Sequence, residues 1–153
     1  MPRAPIHRLQ RHQRLDHPLD TVFEFFVRAH NLERLTPPWL RFALVTPDPI
    51  EMRVGTRIEY RLHVHRVPFR WVSRIEEWDP GRSFVDRQLR GPYALWHHRH
   101  VFERDGDGTI VRDEVHYAMP LGRVGELAHP LLVRRDVRRI FDYRQAAVVH
   151  ALA

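Results

Sequence analysis

Hydrophobic and polar positions change their period twice along this chain. From Ile6 to Leu15 they alternate imperfectly, which predicts a first strand. HPLDTVFEFF follows. Asp16 can cap a helix there, Pro18 suits the first turn, and Val22, Phe23 and Phe26 recur at helical spacing, so a short helix ends near Ala29. Asn31 can cap a second short helix through Leu35. Pro37 and Pro38 stop it, because proline lacks the amide and restricts the residue before it.

After Trp39 the period becomes two. Phe42, Leu44 and Thr46 share one face of a short strand. From Thr56 to Val64, Ile58, Tyr60, Leu62 and Val64 face one way and Arg57, Glu59, Arg61 and His63 the other. One apolar and one charged face predict an antiparallel sheet wetted on one side. Further strands are expected over 69–78, 83–89, 95–104 and 109–119. Asp105-Gly106-Asp107-Gly108 joins the last two as a hairpin.

The period then returns to three and four. Val124, Leu127, Ala128, Leu131, Leu132, Val137, Ile140 and Phe141 predict a long C-terminal helix beginning near Gly122, with Pro130 bending it near its start. The order gives an α+β fold: six or seven strands, two short helices after the first, and a terminal helix on the concave side of a curved antiparallel sheet.

Composition narrows the function classes. The 153 residues suit a single domain, 1–153, with room for a core. There is no cysteine, which excludes disulfides, thiolate catalysis and cysteine zinc sites. No apolar run is long enough for a membrane-spanning helix and no secretory leader stands out, so a cytoplasmic location is expected. The net charge is +6, and every positive residue is arginine. Residues 1–15 carry four arginines and no acid, whereas residues 16–133 carry sixteen arginines against seventeen acids. A near-neutral body disfavours specific nucleic-acid binding.

Strand parity points to an interior with polar groups. Trp96, His98, His100 and Phe102 share a face that the flanking aromatics turn inward; so do Val111, Asp113, Val115, Tyr117 and Met119, and so do Phe84, Asp86 and Gln88. A solid core rarely takes so many polar groups, and a cavity resolves the conflict. His98 and His100 then have three readings: imidazoles hydrogen-bonded to Asp86 or Asp113 that only order the core, pocket-lining groups that meet a ligand, or a metal pair. HxH in a strand is a weak metal signal, so no metal and no cofactor are expected. His63 and His65 fall on the face assigned to solvent. Trp39 is either a plug of the core end or a wall of the pocket mouth. Trp71 and Trp78 lie on opposite parities, so one of them at most lines the cavity unless a bulge intervenes. Tyr93, in the Gly91–Tyr93 turn, either closes the mouth or packs on the edge. Phosphate-loop, dinucleotide-loop, HExxH and GxSxG motifs are missing.

NLERLTPPWLRF at 31–42, VPFRW at 67–71 and FVDRQLRGPYALWHHRHVF at 84–102 resemble the START-like superfamily, also called SRPBCC or polyketide cyclase/dehydrase-like, and within it a bacterial subgroup of small ligand-binding proteins. The resemblance covers nearly the whole chain. It implies a helix-grip fold with a cavity between sheet and terminal helix, and binding of a hydrophobic or amphipathic small molecule such as a lipid, polyketide or aromatic metabolite. Some relatives with this pattern are fused to sugar-nucleotide-epimerase-like domains, which implies a functional association of that kind. Two alternatives stay open: a cyclase, dehydratase or isomerase-like enzyme using the same cavity, and a structural or protein-interaction domain. Tyr60, Leu62, Trp71, Trp96 and Phe102 are expected to form apolar wall, with Leu131 and Ile140 from the helix. Gln88, His98, His100 and Tyr117 are expected to supply polar groups, and Trp39 and Tyr93 to border the mouth. In the enzyme case His98 is the general-base candidate and Asp86 or Asp113 orients it.

Overall fold

The computed structural model describes residues 4–127 and 132–153. Seven strands form one antiparallel sheet in the order β1-β7-β6-β5-β4-β3-β2. They are β1 (His7–Leu15), β2 (Ala43–Leu44), β3 (Arg57–Val64), β4 (Val67–Asp79), β5 (Ser83–Arg90), β6 (Leu95–Asp105) and β7 (Gly108–Ala118). Helices α1 (Leu19–Val27) and α2 (Asn31–Leu35) carry the chain from β1, paired with β7, to β2 at the opposite edge. Among the described residues two further helices follow β7: α3 (Gly122–Glu126) and α4 (Arg134–Leu152). The sheet is curved, and α4 is the long helix it grips.

Local chemistry explains the boundaries. Pro38–Leu40 forms a single 3-10 turn after the Pro37-Pro38 stop. Asp105 pairs with Gly108 across the β6–β7 hairpin, where Gly106 takes φ +60°, a conformation that suits glycine. β4 carries register shifts at Val72/Ser73 and Ile75/Glu77. The second shift reverses parity, so Trp78 joins Trp71 on the inner side and packs on Phe23 and Phe84.

Two expected caps are corrected. Pro18 occupies the N-cap of α1 with no side-chain cap bond, and Asp16 pairs with Arg14 instead. His30 holds the N-cap of α2, while the Asn31 amide donates to the Phe25 carbonyl at 2.7 Å and so closes the end of α1. The expected helix from Gly122 is two described helices, and the expected bend at Pro130 lies outside the described residues.

The interior divides into two apolar clusters. One holds Leu15, Val22, Phe25, Phe26, Phe84, Phe102 and Val148, where α1 and the end of α4 cover the sheet. The other holds Leu40, Leu62, Trp71, Trp96, Tyr117, Val137 and Phe141. His100 stacks on Phe84 of the first cluster and His98 meets Phe141 of the second, so the two histidines stand at the seam.

Candidate functional site

Between the sheet and α4 lies a cavity of about 920 Å³. Tyr60 and Leu62 from β3, Trp71 from β4, Trp96 from β6 and Ile140 and Phe141 from α4 form much of its wall. Tyr60 and Trp71 stack at 5.7 Å, and Trp96 meets Trp71 edge-on at 5.5 Å. Such offset and T-shaped pairs hold flat apolar surfaces in fixed orientations. Trp39 is 47% exposed at the mouth and supports the Arg139 guanidinium 4.8 Å above its ring. Tyr93 also lines the cavity.

Asp86, His98 and His100 make the polar wall, with Asp113 behind them. Cross-strand register sets Asp86 opposite His98, and His100 opposite Asp113. Hydrogen bonds run diagonally: His98 Nε2 to Asp113 Oδ1 and His100 Nε2 to Asp86 Oδ2, each 2.7 Å. His98 Nδ1 lies 4.0 Å from Asp86 Oδ2, and His100 Nδ1 is 3.4 Å from Asp113 Oδ1 without a hydrogen bond. Burial, joined by the charge of His100, pushes His98 down to about 4, against the pull of Asp113. Burial also opposes charge on His100, but the close approach of Asp113, the hydrogen bond to Asp86 and the charges of both carboxylates outweigh it and raise its pKa. Burial would lift both carboxyls; the histidine bonds and the charge of Arg144 hold Asp86 below its usual range and Asp113 well below it. The cluster therefore takes up a proton at His100 in preference to His98, between two carboxylates.

Asp86, His98 and His100 each offer a ligand atom within 4.8 Å of the others. The two rings stack with centroids 3.6 Å apart, so their lone pairs run side by side, and one nitrogen of each is already bound to an aspartate. That arrangement suits an internal hydrogen-bond network better than a tetrahedral metal.

Trp39, Tyr60, Leu62, Trp71, Tyr93, Trp96, Asp86, His98, His100 and Ile140 are brought together around the cavity. Asp113 stands behind His98. Three expected residues lie elsewhere. Gln88 folds back on its own turn: its amide donates to the Tyr93 carbonyl at 2.7 Å and accepts from the Tyr93 amide at 3.2 Å. Phe102 is drawn into the first apolar cluster by Phe23 and Phe26 of α1. Tyr117 packs behind Trp96 and Tyr93 and borders a separate pocket of about 250 Å³ with His7, Arg8 and Arg134. Leu131 lies outside the described residues.

Sequence reasoning missed several lining residues. His63 and His65 reach the cavity from the end of β3, although parity had turned them to solvent. Ser73 accepts from the Trp71 indole at 3.0 Å and borders the cavity too. Arg144 was readable, because it falls on the same stripe of α4 as Phe141 and Val148.

No protein-family model matches the chain, and no curated protein does. Solved structures match over nearly its whole length. The Zhui aromatase/cyclase from Streptomyces sp. R1128 is 16% identical, with a TM-score of 0.74 over 97% of this chain and 94% of that one. A START superfamily protein from Mycobacterium smegmatis is 8% identical, with a TM-score of 0.73 over 95% of this chain and 97% of that one. A nucleoside-diphosphate sugar epimerase from Corynebacterium glutamicum is 22% identical, with a TM-score of 0.68; the match covers 94% of this chain but 29% of that protein. The chain thus has the START-like (SRPBCC) helix-grip fold. Among the described residues no helix is long and apolar enough to cross a membrane.

Proposed function

We propose that this protein binds a hydrophobic or amphipathic small molecule between the sheet and α4. The observation that carries the reading is the cavity of about 920 Å³, walled by Tyr60, Trp71 and Trp96 and edged by Asp86 and His98. Apolar wall supplies affinity, at roughly 25 cal/mol per Å² removed from water as an upper rate, and a few polar groups supply orientation. Native mass spectrometry of protein purified without denaturation tests it. A carried small molecule, lost on Trp96→Ala with the fold intact, is expected. A folded protein that carries nothing and binds no member of a lipid and aromatic-metabolite panel sinks the reading.

A second reading, chemistry in the same cavity, has one observation in its favour. Asp113 holds His98 Nε2, while His98 Nδ1 has no hydrogen-bond partner among the described residues. An aspartate-oriented imidazole can take a proton from a bound substrate. Its low basicity confines it to an acidic proton, such as one between two carbonyls. Conversion of a poly-β-keto probe by wild type and not by His98→Gln supports this reading. Equal conversion by both discards it. Work beside an epimerase-like domain is a further part of the proposal, supported by the partial match to the Corynebacterium glutamicum protein.

A further inference from the structure

Helix α4 turns Val137, Phe141 and Val148 into the interior, all buried. Steps of four, three and four residues place Arg144 on that same stripe. Its side chain is half-buried and lines the cavity. Its Nε is buried, and no hydrogen bond or ion pair reaches the guanidinium among the described residues. Among the described residues its ring contact is with Phe26, 5.5 Å from the guanidinium carbon to the ring centre. Buried guanidinium groups are ordinarily paired with an acceptor.

The other cavity arginines differ. Arg139 lies over Trp39, and Arg41, Arg66 and Arg139 are exposed to solvent at the rim. Arg144 is deeper. Its charge acts on Tyr60, Asp86 and Asp113, which sets it at the polar end of the aromatic wall.

We propose that the ligand carries one carboxylate, held by Arg144, with its apolar body against Tyr60, Trp71 and Trp96. This rests on the reading that the cavity binds a small molecule. A guanidinium fork matches a carboxylate in plane, with two parallel N–H donors. A dianionic phosphate fits worse, because Asp86 and Asp113 already bring two negative charges close by. An ammonium head would meet Arg144 as a like charge, and an alcohol would leave the guanidinium unneutralised.

Fluorescence titration with pyrenebutyric acid, its methyl ester, pyrenebutanol and pyrenebutylamine tests the inference at neutral pH. Wild type should bind the acid at least about tenfold more tightly than the ester or the alcohol, and the amine most weakly. Arg144→Gln should abolish the preference while ester binding persists. Arg135→Gln, an exposed change on the same helix outside the cavity wall, should keep it. If Arg144→Gln does not fold by circular dichroism, Arg144→Lys decides: it keeps the charge without the fork and should narrow the preference. Equal binding of acid and ester by wild type overturns the inference and leaves the cavity reading standing. A preference that survives at full size in Arg144→Gln, or in Arg144→Lys where that variant decides, also overturns it. If folded protein binds none of the four probes, both readings fall.

Discussion

His98 and His100 stack face to face, 3.6 Å between ring centres and 25° between planes, and each binds a different aspartate across the sheet. Two imidazoles this close cannot both be charged cheaply in a buried site. His100 therefore takes up a proton before His98 does, and the division has consequences that can be measured.

The first concerns acid stability. His98 titrates at about 4 in the folded protein, against 6.5 for an ordinary histidine. Below pH 6.5 the unfolded chain takes up a proton that the folded chain refuses, so folding loses stability as pH falls from 6.5 toward 4. The loss is at most roughly 3–4 kcal/mol, at about 1.4 kcal/mol per pKa unit. The raised His100 acts the other way. Its contribution is full below 6.5 and fades as pH rises through its folded value. Asp86 and Asp113 lose theirs only as pH falls below the ordinary carboxylate range. Urea unfolding from pH 7 to 4 should show a slope in wild type that His98→Gln largely removes. An unchanged slope in that variant rules the assignment out.

A related prediction separates the two aspartates. Asp86 accepts from His100 Nε2 and helps raise its pKa, so Asp86→Asn withdraws a carboxylate from the more basic of the two histidines. The His100 titration, followed by NMR of the ring protons, should move to lower pH. Breaking a buried charged network by removing one partner costs about 3–5 kcal/mol. A His100 that titrates unchanged in Asp86→Asn shows that Asp113 alone sets its charge.

Gln88 carries a third. Its amide clamps both backbone groups of Tyr93 and so fixes the turn that brings Tyr93 to the cavity. Gln88→Ala leaves two backbone groups without that partner. It should cost on the order of 1–2 kcal/mol and raise hydrogen exchange over 91–94 before any change at β7. Gly91→Ala should do part of the same, because a Cβ there would sit 2.5 Å from Gln88 Oε1 and push the amide aside. Exchange at 91–94 that stays at the wild-type rate in both variants removes the clamp from the account.

The architecture was legible in the sequence because alternation and helical spacing are one-dimensional signals of burial. Ile58 and Leu62 in β3, and Trp96, His98 and His100 in β6, are buried as parity demands. What parity cannot register is an inserted residue or the distance along a strand. The shift at Ile75/Glu77 brought Trp78 inward, and Phe102 shares a face with His98 yet lies far enough along β6 to fall under α1. Gln88 was misplaced for another reason: a long amide can satisfy a neighbouring turn, and nothing in its position foretells that. Arg144 escapes a reading by residue type, because a charged side chain among five arginines of the terminal segment shows its inward position only through its helical phase with Phe141 and Val148.

The contrast between Trp71 and Phe102 gives the last prediction. Both were expected in the cavity wall, and both are buried, at 6% and 3% exposure. Phe102 is enclosed by Phe23, Phe26 and Phe84, with ring centres 5.2, 5.4 and 6.0 Å away. Phe102→Ala removes contacts on every side and should cost about 3–5 kcal/mol. Trp71 borders the cavity on one side, so Trp71→Ala forfeits fewer packed contacts and enlarges a space that already exists. Its stability cost should fall at or below the lower end of that range. Ligand affinity should show the reverse order. Losing the indole face removes apolar contact worth roughly ten- to a hundredfold in Kd. Phe102→Ala, provided it folds, should bind as wild type. Chemical denaturation paired with pyrenebutyric acid titration on both variants reads the two quantities together. Affinity lost in Phe102→Ala and kept in Trp71→Ala would place the ligand under α1, away from the wall described here.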